Sequence, residues 1–271
     1  MTAKTFQDVV VESPAISHVG LWSTVRSEWI KLISVRSTWW TLGAATVLGI
    51  GLTALICGLN ADWLASGEAD EAPGSFVMWG MMFAQICAIV IGVLAVTTEY
   101  GTGLIRSTLA ATPHRGRVLV AKMIVVASTL FVFGIATSYL GYLSGNYFLD
   151  REGIGVAFDG DVMRAVLGNG LFMAGMGLFG GAAGFVIRHT AAAISIVLAG
   201  ILIIPNMLLL IPGDVGEWIA KMSPGAAGSV IATPVSFDPT ALGPWTGFGV
   251  FTAETAALMA VAWLLLRRRD A

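Results

Sequence analysis

Six uninterrupted apolar stretches, each long enough to cross a bilayer as a helix, decide what this chain can fold into. They cover approximately residues 38–59, 76–98, 123–148, 167–187, 191–211 and 248–266. A hydrocarbon core of about 30 Å takes about 20 helical residues to cross. In lipid every backbone amide and carbonyl must be paired internally, and these stretches lack the period-two alternation of a barrel strand, so they read as helices. The expected fold class is an all-α polytopic membrane protein with six transmembrane helices. Composition agrees: 56% of the 271 residues are hydrophobic and 12% are charged, with a mean hydropathy of +0.81, whereas soluble chains carry about a quarter charged residues. Residues before Thr38 include Asp8, Glu12 and Glu28 and no apolar core, so the first span reads as an uncleaved signal anchor. Cys57 and Cys87 sit inside apolar stretches, as small apolar residues with no call for a disulfide.

The net charge of −2 gives no global basic character and no reason to expect nucleic acid. Where the charges sit is more informative. Taking alternate sides of the six spans, Lys4, Arg26, Lys31, Arg36, Arg106, Arg115, Arg117, Lys122, Arg188, Arg267, Arg268 and Arg269 fall on one side, and only Arg151, Arg164 and Lys221 on the other. Cytoplasmic loops carry the excess of Lys and Arg, so both termini, the loop at 99–117 and the Arg188-His189-Thr190 turn are expected in the cytoplasm. The outer connections are acidic, as solvated loops often are. The resulting organisation is a cytoplasmic tail (1–20), an amphipathic interfacial helix (21–37), a six-helix membrane domain (38–266, with a cytoplasmic loop at 99–117 and an outer loop at 212–246) and a cytoplasmic tail (267–271). The expected location is the plasma membrane.

Two segments outside the spans have helical periodicity. In 21–35, Trp22, Val25, Trp29, Leu32 and Ile33 recur at helical spacing, with Arg26 and Lys31 on or beside the other face. That pattern predicts a helix lying in the membrane interface. In the 99–117 loop, Leu104, Ile105, Thr108 and Leu109 follow Gly101 and Gly103 at helical spacing, and Pro113 closes the segment. Spacing alone is satisfied by a short helix lying on the inner leaflet with Arg115 and Arg117 on lipid head groups.

The order Glu99, Gly101-Thr102, Arg106, Leu109, Pro113, Arg115, Lys122 between spans two and three resembles the type-2 permease family of ATP-binding-cassette transporters. The Ser27-Glu28-Trp29-Ile30-Lys31-Leu32 segment looks like that family's entry helix. The segment from Ile211-Pro212-Gly213-Asp214 through Trp218, Ser223-Pro224-Gly225 and Ala227, and the closing Leu266-Arg267-Arg268-Arg269-Asp270, are also similar. The resemblance implies an exporter subunit whose loop docks on a separate ATPase. Glu99, Tyr100, Gly101, Thr102, Arg106, Leu109 and Pro113 then form the coupling element, and Trp22, Arg26, Glu28, Trp29 and Lys31 the interfacial helix that supports it. It implies a second permease copy or paralogue as partner. The chain has no G-x-x-x-x-G-K-[ST] loop, so ATP and Mg²⁺ are expected on the ATPase subunit, with no cofactor held here.

Within the spans, Glu254 lies nine residues after Trp245, about 13 Å along a helix and near mid-bilayer. A carboxyl there calls for a polar partner, a wet cavity or a proton. It is a candidate substrate or proton site with Asn206 and Gln85, equally readable as a carboxyl that joins helices; Asn206 and Gln85 read first as polar glue or cavity lining, and one carboxyl in a Met- and Phe-rich interior favours an amphipathic, cationic substrate. Gly177/Gly181, Gly180/Gly184 and Gly141/Gly145 read as close-packing positions, and Pro205 as a kink. His18, His114 and His189 are scattered without metal-site spacing. Competing with the exporter permease are a proton-coupled secondary transporter using Glu254, which lacks recognisable inverted halves, and an intramembrane enzyme, for which neither a G-x-S-x-G nor an H-E-x-x-H motif is present.

Overall fold

A computed structural model describes residues 20–111, 115–211, 214–238 and 240–268. Among these the chain is helical, and six helices are long and apolar enough to cross a membrane: Arg36–Ala65, Pro73–Thr102, Gly116–Arg151, Gly160–Ile187, Thr190–Leu208 and Pro244–Arg268. They coincide with the six apolar stretches and outrun most of them by several residues at the ends, because polar residues there continue the backbone hydrogen bonding of the last turns. Two further helices, Leu21–Ser34 and Leu104–Ala111, occupy the two segments whose periodicity predicted them.

The bundle is built on spans two, three and four. Spans two and four approach so closely that a Cβ on Gly92 would stand 2.0 Å from the Gly177 carbonyl oxygen, and one on Gly180 would stand 2.5 Å from that of Ile89. Only glycine permits this contact. On its other side span four meets span three, where a Cβ on Gly181 would strike Met123. Gly184 lies against Val96 and Thr97 of span two, and Gly145 against Thr53, Cys57 and the Val77 carbonyl. Spans one, five and six lie at the periphery and expose large apolar side chains, among them Val47, Leu55, Ile196, Ile203, Val261 and Leu264. One end of the bundle is closed by Val96, Leu119, Met123, Phe185, Ala262 and Leu266, which gathers spans two, three, four and six.

Two spans carry widened turns. Span five becomes a π-helix over Ala199–Ile203, immediately before Pro205. Proline has no N–H to donate and its ring crowds the preceding turn, and a π turn is one way to absorb both effects. Span one has its own π turn at Val47–Gly51. There Thr53 donates to the Gly49 carbonyl (2.6 Å) and accepts from the Gly80 amide (3.0 Å), which seats the start of span two on the wide turn.

The connection between spans five and six, expected as a loop over 212–246, carries short helices and is partly buried. After the short helix Asp214–Lys221, the helix Pro224–Ser229 and the 3₁₀ turn Val230–Ala232 pack against spans four and six, with Ala227 and Ile231 fully buried. Arg164 of span four donates to the carbonyls of Ile231 (3.2 Å) and Pro234 (3.0 Å), and Asn169 donates to that of Ala232 (2.7 Å). Two polar side chains of span four thus supply the donors that this buried backbone needs. Asp159 caps the start of the same span by accepting from the amides of Asp161 and Val162.

The glycine contact makes a direct prediction. Gly92→Val should force spans two and four apart and lower the unfolding midpoint of the detergent-purified protein by several degrees, with a cost of about 3 kcal/mol or more. Gly101→Ala, at a helical position where a Cβ would meet nothing within 4 Å, should not lower the midpoint and should raise it slightly.

Candidate functional site

The helix Leu21–Ser34 buries a stripe of Thr24, Glu28 and Leu32, spaced four apart, and exposes Trp22, Arg26, Trp29, Ile30 and Ile33. A glutamate therefore faces the protein. It meets Lys122, which lies in the first two turns of span three and is itself buried. Lys122 Nζ donates to Glu28 Oε2 and, at 3.0 Å, to Glu99 Oε1 at the end of span two. Lys31 Nζ completes the figure, 2.7 Å from Glu28 Oε1 and 2.8 Å from Glu99 Oε1. Two carboxylates alternate with two ammonium groups in a closed ring that carries no net charge. The Glu28, Glu99 and Lys122 side chains are 3%, 7% and 5% exposed, whereas Lys31 is 41% exposed.

Such a ring is costly to desolvate, and its attraction repays the cost only when every charge is opposed. Taking away one member leaves a buried charge unbalanced, at about 3–5 kcal/mol. Burial works against the charge of Lys31, but the hydrogen bonds and charges of Glu28 and Glu99 outweigh it and raise its pKa above the ordinary 10.5. The ring joins the segment before span one to the facing ends of spans two and three. The Lys31 ammonium also lies 3.5 Å from Thr108 Oγ1 on the helix Leu104–Ala111, so that helix is tied to the same point.

A cavity of about 470 Å³ opens beside the ring, between the Leu21–Ser34 helix, spans one to three and the Leu104–Ala111 helix; Ser37, Thr98, Thr102 and Ser107 contribute polar groups to its wall. Around it stand the residues singled out from the sequence. Gly103, at φ 74°, makes the left-handed turn that ends span two and starts the next helix. The bend is therefore placed at Gly103, while Gly101 has helical geometry. Tyr100 stacks beneath the guanidinium of Arg188, 5.0 Å from its ring centre, and edge-on to Phe185. Thr190 donates to Thr97 at 2.8 Å. His189 Nδ1 accepts from the Ala192 amide, so this histidine caps span five. Thr102, Leu104 and Ser107 are exposed, and Ile105 is buried. Arg106 and Leu109 lie on the Leu104–Ala111 backbone; Pro113 and His114 lie outside the described residues, as do His18 and residues 269–271.

The sequence marks Glu28, Lys31 and Glu99 singly, and nothing in their spacing joins them to one another or to Lys122 and Thr108. The signal was present in the run Val118-Leu119-Val120-Ala121-Lys122-Met123-Ile124-Val125-Val126. A lysine in the middle of such a run needs a carboxylate, and two glutamates lie in neighbouring segments.

The three polar residues proposed inside the membrane separate. Gln85 and Asn206 line one cavity, at the opposite end of the bundle from the ring. Glu254 lines neither this cavity nor the one beside the ring. It is half-buried on span six, and its Oε2 is buried with no hydrogen-bond partner among the described residues. Asn206 Nδ2 is committed to the Leu202 carbonyl of its own helix at 2.6 Å.

Lys122→Met should destabilise the purified protein by about 3–5 kcal/mol, and the double substitution Glu28→Gln/Lys122→Met by distinctly less than the sum of the two single ones, as read by thermal unfolding. Additive effects would mean that the ring is not energetically coupled. Because its pKa is raised on folding, the stabilising contribution of Lys31 is complete below about pH 10.5 and lost as the pH rises through the folded-state value. The alkaline fall in stability should therefore be shallower in Lys31→Met than in the wild type. No protein-family model and no curated protein matches the chain.

Proposed function

We propose that this chain is the membrane-spanning subunit of an ATP-driven exporter of the type-2 ABC permease kind, with both termini in the cytoplasm and the ring at the cytoplasmic end. The supporting observation is the ring of Glu28, Lys31, Glu99 and Lys122. A subunit driven by a separate motor needs its contact segment fastened to the spans that move, since a soft attachment would dissipate the displacement. Here the Leu104–Ala111 helix hangs from span two through Gly103, touches Lys31 through Thr108, and is held with the Leu21–Ser34 helix against spans two and three. In this reading Leu21–Ser34 lies in the interface with Trp22 and Trp29 turned to lipid. Leu104–Ala111 is the coupling helix, and ATP and Mg²⁺ belong to the partner. The basic character of this end supports its cytoplasmic placement.

The docking surface on this reading is the exposed face with Thr102, Leu104 and Ser107. Leu104 is an apolar side chain 58% exposed beside the exposed Thr102 and Ser107, which is what an apolar anchor awaiting a pocket looks like. The test is co-purification of the tagged chain with a candidate ABC ATPase subunit. Leu104→Glu should weaken the complex about tenfold or more while leaving the unfolding midpoint unchanged. If no ATPase associates and transport instead follows the proton gradient and is lost in Glu254→Gln, the chain is a secondary transporter and the coupling role of the Leu104–Ala111 helix is wrong.

A further inference from the structure

The second cavity, at the end of the bundle opposite the ring, measures about 490 Å³ and lies between spans two, four and five and the segment that follows span five. This is within the size range of small-molecule sites. Its walls are mainly apolar, with Met81, Met82, Ile86, Met176 and Leu202 among them. Three neutral amides interrupt them, of which Asn206 has its Nδ2 on the Leu202 carbonyl of its own helix; the other two are Gln85 and Asn169. Gln85 is 9% exposed, lines the cavity and makes no hydrogen bond among the described residues. Asn169 is fully buried; its Nδ2 is committed to the carbonyls of Ala165 and Ala232, while its Oδ1 has no donor. A buried amide oxygen such as that of Asn169 has lost its water and is seldom left unmatched in folded proteins, and the unbonded Gln85 amide borders the same cavity. Two in one cavity, on different spans, mark a place where something else supplies the partner.

The charges of the cavity indicate what that is. Its two ionisable residues, Lys221 and Asp238, belong to the connection between spans five and six and stand 4.0 Å apart. Lys221 also donates to Thr240, and Asp238 accepts from the Thr240 amide and hydroxyl. Lys221 stands between Asp238 and Glu217, the latter 3.9 Å away and outside the lining, so the one cation is opposed and the lining itself carries no net charge. Glu254, the carboxyl that made a cationic substrate attractive from sequence, does not line this space.

We infer that this cavity binds an uncharged amphiphile: an apolar chain or ring system carrying a hydroxyl or amide N–H, with the apolar part against the methionines and the polar head hydrogen-bonded to Gln85 and Asn169 Oδ1. The site stands whether or not an ATPase drives the chain. Its ligand is either exported cargo or a resident membrane lipid, and the two share this chemistry.

The test uses the purified full-length chain without any ATPase and three photoreactive probes with the same diazirine-bearing acyl chain: a monoacylglycerol, the matching methyl ester without a donor, and the matching alkylammonium. The monoacylglycerol should crosslink to residues 75–89 and 198–209 about fivefold or more above the methyl ester, as expected for one satisfied buried hydrogen bond. Gln85→Leu should bring it down toward the methyl-ester level while methyl-ester labelling persists. The three-probe comparison on the wild type does not depend on that variant folding. Equal labelling by the methyl ester would mean apolar partitioning alone, stronger labelling by the ammonium probe would mean a cation site, and crosslinks elsewhere would mean a different site; each overturns the inference. Loss of bound monoacylglycerol when ATP and the partner ATPase are added identifies cargo, and retention identifies a resident lipid. Either leaves the site assigned, and co-purification of the ATPase judges the permease reading separately.

Discussion

Everything at one end of this bundle hangs on a constraint of charge balance. Glu28, Lys31, Glu99 and Lys122 come from three segments and are buried to very different degrees. Burying any one of the three deeply buried charges without an opposing partner would be costly. Desolvation turns the four into a mutually dependent set: each carboxylate is opposed by two ammonium groups and each ammonium by two carboxylates. A ring of this kind contributes little net stability compared with well-packed apolar side chains. It contributes geometry, because only one arrangement of the Leu21–Ser34 helix, span two and span three closes it.

A second constraint, steric rather than electrostatic, works along the middle of the bundle. Gly92, Gly177 and Gly180 let spans two and four meet backbone to backbone. In an apolar solvent no hydrophobic force presses helices together, so close van der Waals contact and the few available hydrogen bonds have to do it. The same span four then serves the opposite end, where Arg164 and Asn169 hold the carbonyls of 231–234 and let a connecting segment lie buried between spans. One helix therefore packs by its lack of side chains along its middle and by its longest polar side chains near its start.

Part of the site is legible in the sequence. Lys31 and Glu99 stand out as charges flanking apolar runs, and Gly103 follows the end of one, so a helix boundary and a polar edge could be placed there. The left-handed turn fell to Gly103 and not to Gly101, because only one residue is needed to reverse direction and spacing does not say which. Asn206, readable from the sequence as polar glue or as cavity lining, bonds its own Leu202 carbonyl. Periodicity cannot distinguish a side chain folded back on its helix from one reaching outward. Gln85 could be listed as polar but not paired with Asn169, since the two lie on different spans far apart in the chain.

By itself the sequence determined the number and type of the spans, because hydrocarbon leaves the backbone no alternative to helices and length then sorts the apolar runs. It also determined which end of the bundle is basic, and that Gly177, Gly180, Gly181 and Gly184 are packing positions, since these are local properties of composition and spacing. Tertiary structure alone decided which charges meet, that the segment after span five is buried, and that Glu254 stands apart from the cavity of Gln85 and Asn206. Those facts depend on the rotation and depth of one helix against another. That rotation is set by steric fit and charge balance among residues from several spans at once, which no single stretch of sequence contains.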